Sequence, residues 1–318
     1  MENIAPENVS QKASQSASTP RLPGSTVLLK LSIAYYKEYV ATIVGVMLVP
    51  LVLQLLSFFI PSVAALVTIA SMVSSMFSSI VLIGLLAGTW SATEGISTLY
   101  RKSLTWFWPT VMVQAYAMAV VIGGFFLLII PGIYAAIATS FAVYVLFAEN
   151  KRGISAIVAS WQYVKGNWGS VLWRMIVLLA ILGIIGLILL IPDIWPKLAT
   201  LKQGLLDPSA GASAPVPSSP LFAAVRTIFQ ILVMSPLTII YTSFVYKSLR
   251  TMKSAAPVIN DQKTAKTVKT FMIVGIVGLL LVIVVSVLVV MYVADYPGVS
   301  TAGTSAAVID SLRESIGW

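Results

Sequence analysis

The sequence predicts an all-α integral membrane protein with about seven transmembrane helices, and two observations carry this prediction. Of the 318 residues, 58% are hydrophobic and only 10% are charged, whereas about a quarter of the residues in a soluble domain are usually charged. The apolar residues also fall into blocks, most of them close to the ~20 residues that one helix needs to cross hydrocarbon. The composition therefore indicates a membrane bundle with polar ends and not a soluble enzyme.

The predicted spans follow the apolar blocks in order, and two pairs of them form tight hairpins. The blocks cover residues 39–60, 63–90, 111–130, 133–147, 171–191, 221–246 and 271–292. Only Pro61-Ser62 separates the first two blocks, and only Pro131-Gly132 separates the third from the fourth. Since proline ends a helix and glycine permits a turn, we expect transmembrane hairpins at both places. Pro50 and Pro236 lie inside spans and predict kinks there.

The distribution of Lys and Arg predicts the orientation in a cytoplasmic (inner) cell membrane. Placing the N-terminus inside puts 16 of the 20 basic residues on the cytoplasmic side. The outer side then keeps Lys197, Lys202, Arg226 and Arg313. Because basic residues concentrate on the cytoplasmic side of membrane proteins, the N-terminus is predicted inside and, after seven spans, the C-terminus outside.

The predicted organisation has five parts. Residues 1–25 are rich in Ser, Gln and Pro and predict a disordered cytoplasmic tail. Residues 26–250 form a six-span membrane domain, and residues 251–270 form a basic cytoplasmic linker. The seventh span covers residues 271–293, and an outer tail covers residues 294–318.

Three segments that precede a predicted hairpin or span share one pattern. Residues 27–39, 92–108 and 153–168 each mix apolar, aromatic and basic side chains at helical spacing. The third segment shows the pattern best, with an apolar face formed by Ile154, Ile157, Val158, Trp161 and Val164. Such helices commonly lie in the membrane interface with the apolar face in the acyl region. We therefore expect three units, each an interfacial helix followed by a transmembrane hairpin, with one extra C-terminal span.

The chain contains neither cysteine nor histidine, and this limits its possible chemistry. Zinc and haem sites of the usual kinds need those ligands, and Ser-His-Asp or Cys-His catalysis needs those side chains. We therefore predict no catalytic, metal-binding or cofactor-binding residue. The formal net charge of +9 is attributed to a cytoplasmic face that attracts anionic lipid headgroups, and nucleic acid is not expected as a partner.

The candidate functional site is a cluster of polar side chains within the spans. Gln54, Gln114, Arg226 and Gln230 are predicted to lie at membrane depth, and Arg226 and Gln230, four residues apart, share a helix face. These residues could line a polar cavity, or they could form hydrogen bonds between helices. A stripe of Ser71, Ser75 and Ser79 in the second span has the same two interpretations, close helix packing or a serine-lined pathway.

Residues 127–182 resemble a known family. They include a Pro-Gly-Ile turn, a helix that ends in a Glu-Asn step, and the segment AIVASWQYVKGNW before the next span. This region resembles the membrane domains attached to some glycerophosphoryl diester phosphodiesterases and their stand-alone bacterial relatives, over about residues 28–250. The resemblance implies a bundle with interfacial helices. Catalysis in those enzymes belongs to a separate soluble barrel with histidines, so no catalytic residue is carried over to this chain.

Two functional hypotheses remain open at the level of sequence. The first is a non-enzymatic multi-pass protein of the cell envelope, which acts as a lipid-associated scaffold or accessory protein. The alternative is a transporter or a lipid-handling permease, favoured by the repeated units and by the prolines inside spans. A membrane-embedded enzyme is the least favoured reading because the chain has no His or Cys and no predicted pair of carboxylates within the membrane. The sequence identifies neither a substrate nor a protein partner.

Overall fold

The computed structural model describes residues 22–60, 62, 64–206, 220–254 and 262–295. Every secondary-structure element in these ranges is a helix. The elements are α1 (Ser25–Glu38), α2 (Val40–Phe59), α3 (Ala64–Leu86), α4 (Ile96–Leu127), α5 (Ile129–Thr139), α6 (Ala142–Glu149), α7 (Ile154–Val164), α8 (Trp168–Leu206), α9 (Pro220–Phe229), α10 (Ser235–Ser254) and α11 (Gln262–Asp295). A short π-helix, Gln230–Met234, joins α9 to α10 and is called the π segment below.

Within the described ranges, seven helical stretches are long and apolar enough to cross a membrane, which confirms the predicted all-α multi-pass fold. They are Val40–Phe58, Ala64–Leu86, Ile96–Leu127, Ile129–Glu149, Trp168–Pro192, Leu221–Lys253 and Gln262–Tyr292. The predicted cytoplasmic tail up to residue 21 and the outer tail from residue 296 lie outside the described residues. Within the predicted basic linker, residues 251–270, α10 continues to Ser254 and α11 begins at Gln262.

The second hairpin turns earlier than its sequence indicates. The break between α4 and α5 lies at Leu128, which has an extended backbone with φ −172° and ψ 164°. Pro131 and Gly132 belong to the first turns of α5. A proline is tolerated there because the first amides of a helix have no intrahelical acceptor. The Pro-Gly pair therefore marks the start of the returning helix and not the turn itself.

The three predicted interfacial segments have different structures. The first, α1, is a separate helix that ends at Tyr39. The second has no helix of its own, because residues 96–108 continue without a break into the third span within α4. The third, α7, is separate, but its apolar face is covered by protein: Ile157 and Val164 are 0% exposed and Trp161 is 5% exposed. A helix buried in protein and a helix lying on a membrane share the same 3.6-residue pattern, so the sequence could not separate these cases.

Helices α4 and α11 approach each other closely through glycine. A Cβ atom added at Gly123 would collide with the carbonyl oxygen of Phe271, and one added at Gly275 would collide with the carbonyl oxygen of Ala119. Further along, Gly278 lies against the ring of Phe126. The backbones of α4 and α11 therefore approach each other closely where Gly123 and Gly275 lie.

Candidate functional site: polar contacts within the helix bundle

The predicted polar cluster is only partly brought together. Gln54 lies on α2, which packs against α9 and the π segment, the elements that carry Arg226 and Gln230. Gln114 lies on α4, whose main neighbours are α11, α5 and α3. Gln54 and Arg226 are half-buried, whereas Gln114 and Gln230 are exposed on the surface of the described bundle. Three of the four residues therefore lie on contacting elements, and Gln114 lies apart from them.

The carbonyl group that Pro50 leaves free is bound by a tyrosine from another span. Proline has no amide hydrogen, so Pro50 cannot donate to the carbonyl oxygen of Val46 one turn earlier. The Tyr100 hydroxyl on α4 donates to this oxygen at 2.7 Å, and Ser78 Oγ on α3 donates to it at 3.0 Å. The carbonyl oxygen of Val46 is thus a point where the first three spans are hydrogen-bonded together.

Pro236 produces an equivalent contact in the sixth span. Its missing amide hydrogen leaves the carbonyl oxygen of Leu232 without the usual helical partner, and the backbone there adopts the π segment. The Tyr36 hydroxyl on α1 donates to this oxygen at 2.7 Å. At both span prolines, the carbonyl oxygen four residues earlier therefore accepts a hydrogen bond from a tyrosine in a distant part of the chain. The local sequence does not reveal this pairing.

A carboxylate at the end of α6 joins three helices. Glu149 Oε1 accepts hydrogen bonds from the hydroxyls of Tyr163 on α7 at 2.6 Å and Tyr246 on α10 at 2.8 Å. Its other oxygen, Oε2, pairs with Lys151 Nζ at 2.8 Å, and the Glu149 side chain is only 10% exposed. Burial raises the pKa of the Tyr163 phenol, so this hydroxyl keeps its proton and acts as the donor.

Sequence analysis does not single out Glu149 as a site residue, because a lone acid at the end of an apolar block ordinarily faces water. Its partners Tyr163 and Tyr246 lie 14 and 97 residues away. The only local signal is the Glu-Asn step itself, where Asn150 adopts a left-handed conformation with φ 51° and ends the helix. That conformation is common for Asn at helix ends, and it carries no information on tyrosine partners.

Arg174, near the start of the fifth span, holds the beginning of the described chain. Its Nε donates to the carbonyl oxygen of Pro23 and its Nη2 to that of Leu22, both at 2.8 Å. Its Nη1 donates to Ser170 within α8 at 2.6 Å. The guanidinium group therefore binds backbone carbonyls just before α1, which fixes the entry of the chain into the bundle.

The serine-rich second span uses a different face from the predicted stripe. Ser75 and Ser79 donate to carbonyls of their own helix at 2.8 Å. The contacts with α2 come from Ser71, which donates to the Pro50 carbonyl oxygen at 3.2 Å, and from Ser78. Ser71, Ser74 and Ser78 are buried, so they form the packed face of α3.

Two cavities in the described part are lined almost wholly by apolar side chains. A groove of about 300 Å³ on α8 is formed by Ile184, Leu187, Ile188, Ile191, Ile194, Trp195 and Leu198. A much smaller pocket lies between α1, α2, α3 and α10 and includes Tyr35, Ile43, Leu82 and Ile240. Both spaces suit hydrocarbon better than a charged solute.

Comparison with known proteins adds no relative to these observations. No protein-family model, no curated protein and no solved structure matches the chain. The resemblance to the membrane domains of glycerophosphoryl diester phosphodiesterases stays a prediction. The roles of the residues above are inferred from their contacts alone.

Proposed function

We propose that this multi-pass membrane protein is a non-enzymatic component of the cell envelope that binds anionic lipids at its cytoplasmic face and acts as a scaffold or accessory protein. One observation carries the proposal: the polar groups inside the bundle bind to one another across helices. Glu149, Tyr100, Tyr36 and Arg174 all bind groups of other elements. Polar groups used in this way hold a bundle in one conformation.

The lipid partner is proposed from the start of α11. Lys266 and Lys269 are exposed, and so is Lys263 one turn earlier, while Thr264 and Val268 between them are buried. The apolar part of the helix begins at Phe271, so these lysines lie within about 12 Å of it along the helix axis. Basic residues close to a membrane surface attract anionic headgroups with about 1 kcal/mol each.

Lipid retention by the purified full-length chain tests this proposal. The variant K263Q/K266Q/K269Q and the matched variant K197Q/K202Q on the proposed outer side are compared in nanodiscs of mixed anionic and zwitterionic lipid. The inner variant is expected to lower the preference for anionic lipid by up to about fivefold per lysine. Added salt is expected to lower the same preference in the unsubstituted protein, because it screens the lysine charges. Equal preference in all three proteins would refute lipid binding at this face.

The orientation, with the N-terminus inside and the C-terminus outside an inner cell membrane, belongs to the same proposal. Because the sequence has no cysteine, a single introduced thiol reports its own location. In intact cells, a membrane-impermeant maleimide should label S209C, in the segment between α8 and α9, and should spare S16C in the N-terminal region. The opposite pattern would reverse the proposed orientation.

A lipid-handling permease is the second candidate, and the helix breaks favour it. Pro50 in α2 and the π segment before Pro236 lie in two spans that pack together, and irregular helices build binding sites in many transporters. The test is translocation of fluorescent phosphatidylserine in proteoliposomes, followed by dithionite quenching. Translocation above that of empty liposomes, and its loss in Q54A/Q230A, would replace the scaffold proposal with this one.

A further inference from the structure

Gln114 on the third span carries an amide group that forms no hydrogen bond with the described part of the protein. Its side chain is exposed on the surface of the bundle. Along the axis of α4, Gln114 lies about 18 Å after Lys102 and about 20 Å before the end of the helix at Leu127. No charged residue stands between Lys102 and Leu127. The amide therefore faces hydrocarbon, which offers neither a hydrogen-bond donor nor an acceptor.

Gln114 belongs to a face of α4 that the described helices leave open. Met118 is 66% exposed and Phe125 is 49% exposed, while Val111 and Val121 are half-buried. From residue 111 to residue 125, these side chains and Gln114 follow one another at alternating steps of three and four residues. This spacing places them in one row along the helix, and two parallel helices pack against each other along such rows.

The remaining faces of α4 at this level are used within the chain. Val113 and Val120 on the opposite side are 0% exposed. Ala119 and Gly123 lie in close contact with the backbone of α11. The open row is therefore the part of α4 that is left for a partner within the membrane.

We propose that this row binds the same row of a second copy of the chain, so that the two Gln114 amides hydrogen-bond to each other. Each amide has N–H donors and a carbonyl acceptor, so two of them form a reciprocal pair. Hydrogen bonds between amide side chains stabilise helix pairs in membranes.

Symmetry favours a second copy over a different membrane protein. Two copies inserted in the same direction are related by a two-fold axis normal to the membrane. This axis makes the two α4 helices parallel and places both Gln114 side chains at the same depth. A different protein would need a polar side chain at that same depth by chance. The contact does not depend on lipid binding at the start of α11, so the two proposals stand or fall separately.

Cross-linking of the full-length chain in membranes is the first test. Because the sequence has no cysteine, each introduced thiol is the only one in the chain. Met118→Cys lies in the proposed row, one turn from Gln114. Leu187→Cys is the matched control, since Leu187 is 62% exposed on α8 and lies outside the row. Mild oxidation is expected to give a disulfide-linked dimer with M118C and to leave L187C mainly monomeric.

Self-association of the cysteine-free chain is the second test. Energy transfer between donor-labelled and acceptor-labelled chains is measured in liposomes as the protein is diluted with lipid. Gln114→Leu is expected to raise the dissociation constant by about 3- to 30-fold, because the amide pair is lost. Gln230→Leu is the matched control, since Gln230 is also exposed but the next turn, residues 231–234, has no exposed side chain. This variant should leave the dissociation constant unchanged.

Three results would overturn the proposal. Equal cross-linking of M118C and L187C would mean that the row is not a specific contact. Absence of energy transfer in the unsubstituted protein at the highest protein-to-lipid ratio would mean that the chain is a monomer. Equal weakening by Q114L and Q230L would mean that self-association does not use the Gln114 amide.

Discussion

The fourth and seventh spans differ most in how they are covered. The fourth, Ile129–Glu149, has a mean hydropathy of 1.9, and 56% of its most apolar window is buried within the protein. The seventh, Gln262–Tyr292, has a mean hydropathy of 3.4, and only 6% is buried. The most apolar span thus lies at the edge of the bundle and a less apolar one at its centre, the reverse of the order expected for a soluble protein.

This reversal arises because the spans are surrounded by lipid and not by water. Lipid tails are as apolar as leucine, so burying a hydrophobic side chain between helices gains little, and helix contacts depend on close packing and hydrogen bonds. The fourth span provides both. Ala135, Ala138 and Ala142 are at most 1% exposed, and at the break between α5 and α6 the Ser160 hydroxyl of α7 donates to the Ala138 carbonyl oxygen at 2.6 Å. The same hydroxyl accepts from the Phe141 amide at 3.2 Å.

The largest expected effect comes from the carboxylate that ends the fourth span. In Glu149→Leu, the hydroxyls of Tyr163 and Tyr246 lose their acceptor and Lys151 loses its partner. Because each buried unpaired group costs about 1–3 kcal/mol, we expect the free energy of unfolding to fall by about 3 kcal/mol, measured by reversible unfolding in mixed micelles.

Two controls sharpen this result. Glu149→Gln keeps one acceptor oxygen and should lose less than Glu149→Leu. Glu94→Leu removes a partly exposed acid that pairs with the exposed side chain of Lys102 at 2.6 Å and should change the stability little. If Glu149→Leu were no more harmful than Glu94→Leu, the Glu149 end of the fourth span would not be a centre of packing.

The contact between α4 and α11 should be the most sensitive point of the seventh span. In Gly123→Ala, the added methyl group would collide with the Phe271 backbone. Overpacking of this kind costs about 1–3 kcal/mol. Gly183→Ala is the matched control, since a Cβ there meets nothing within 4 Å and alanine favours a helix. Equal stability of the two variants would mean that α11 is not held by this glycine contact.

A smaller effect is expected where a tyrosine binds the carbonyl oxygen freed by proline. Tyr100→Phe removes the donor to Val46 and should cost about 1 kcal/mol. In a Pro50→Ala background, the amide at residue 50 can bond to Val46 again, so the same substitution should cost less. A double-mutant cycle measures this difference directly. A coupling free energy of zero between Tyr100 and Pro50 would refute the link between the tyrosine and the proline.

Hydropathy is a local property, so the seven spans could be predicted from the sequence. The predicted turn of the second hairpin, at Pro131, lies only three residues from the observed break at Leu128. The contacts inside the bundle could not be predicted in this way. Tyr100 and Val46 lie 54 residues apart, and Tyr36 and Leu232 lie 196 apart. Taken alone, each tyrosine resembles an ordinary interfacial aromatic residue. Its acceptor is a backbone carbonyl oxygen that lacks a helical donor because a proline stands four residues later.

The position of the predicted candidate site could not be read from the sequence for a related reason. Gln114 and Gln230 were predicted to line a polar cavity or to form hydrogen bonds between helices, and both side chains are exposed on the described bundle. Helix faces are set by the whole packing arrangement, and one glutamine contributes little to it. The buried polar residues of the described bundle include Ser71, Ser74 and Ser78, whose small side chains also allow α2 and α3 to approach closely.

One pair of identical substitutions tests the contrast between the two spans most directly. Val145 in the fourth span is 0% exposed and Val285 in the seventh is 48% exposed. Val145→Ala should lower the free energy of unfolding by about 1–3 kcal/mol, because it leaves a cavity in a packed contact. Val285→Ala should change it by less than about 0.5 kcal/mol. Equal losses, or a larger loss at Val285, would contradict the view that the fourth span is the packed centre and the seventh span faces lipid.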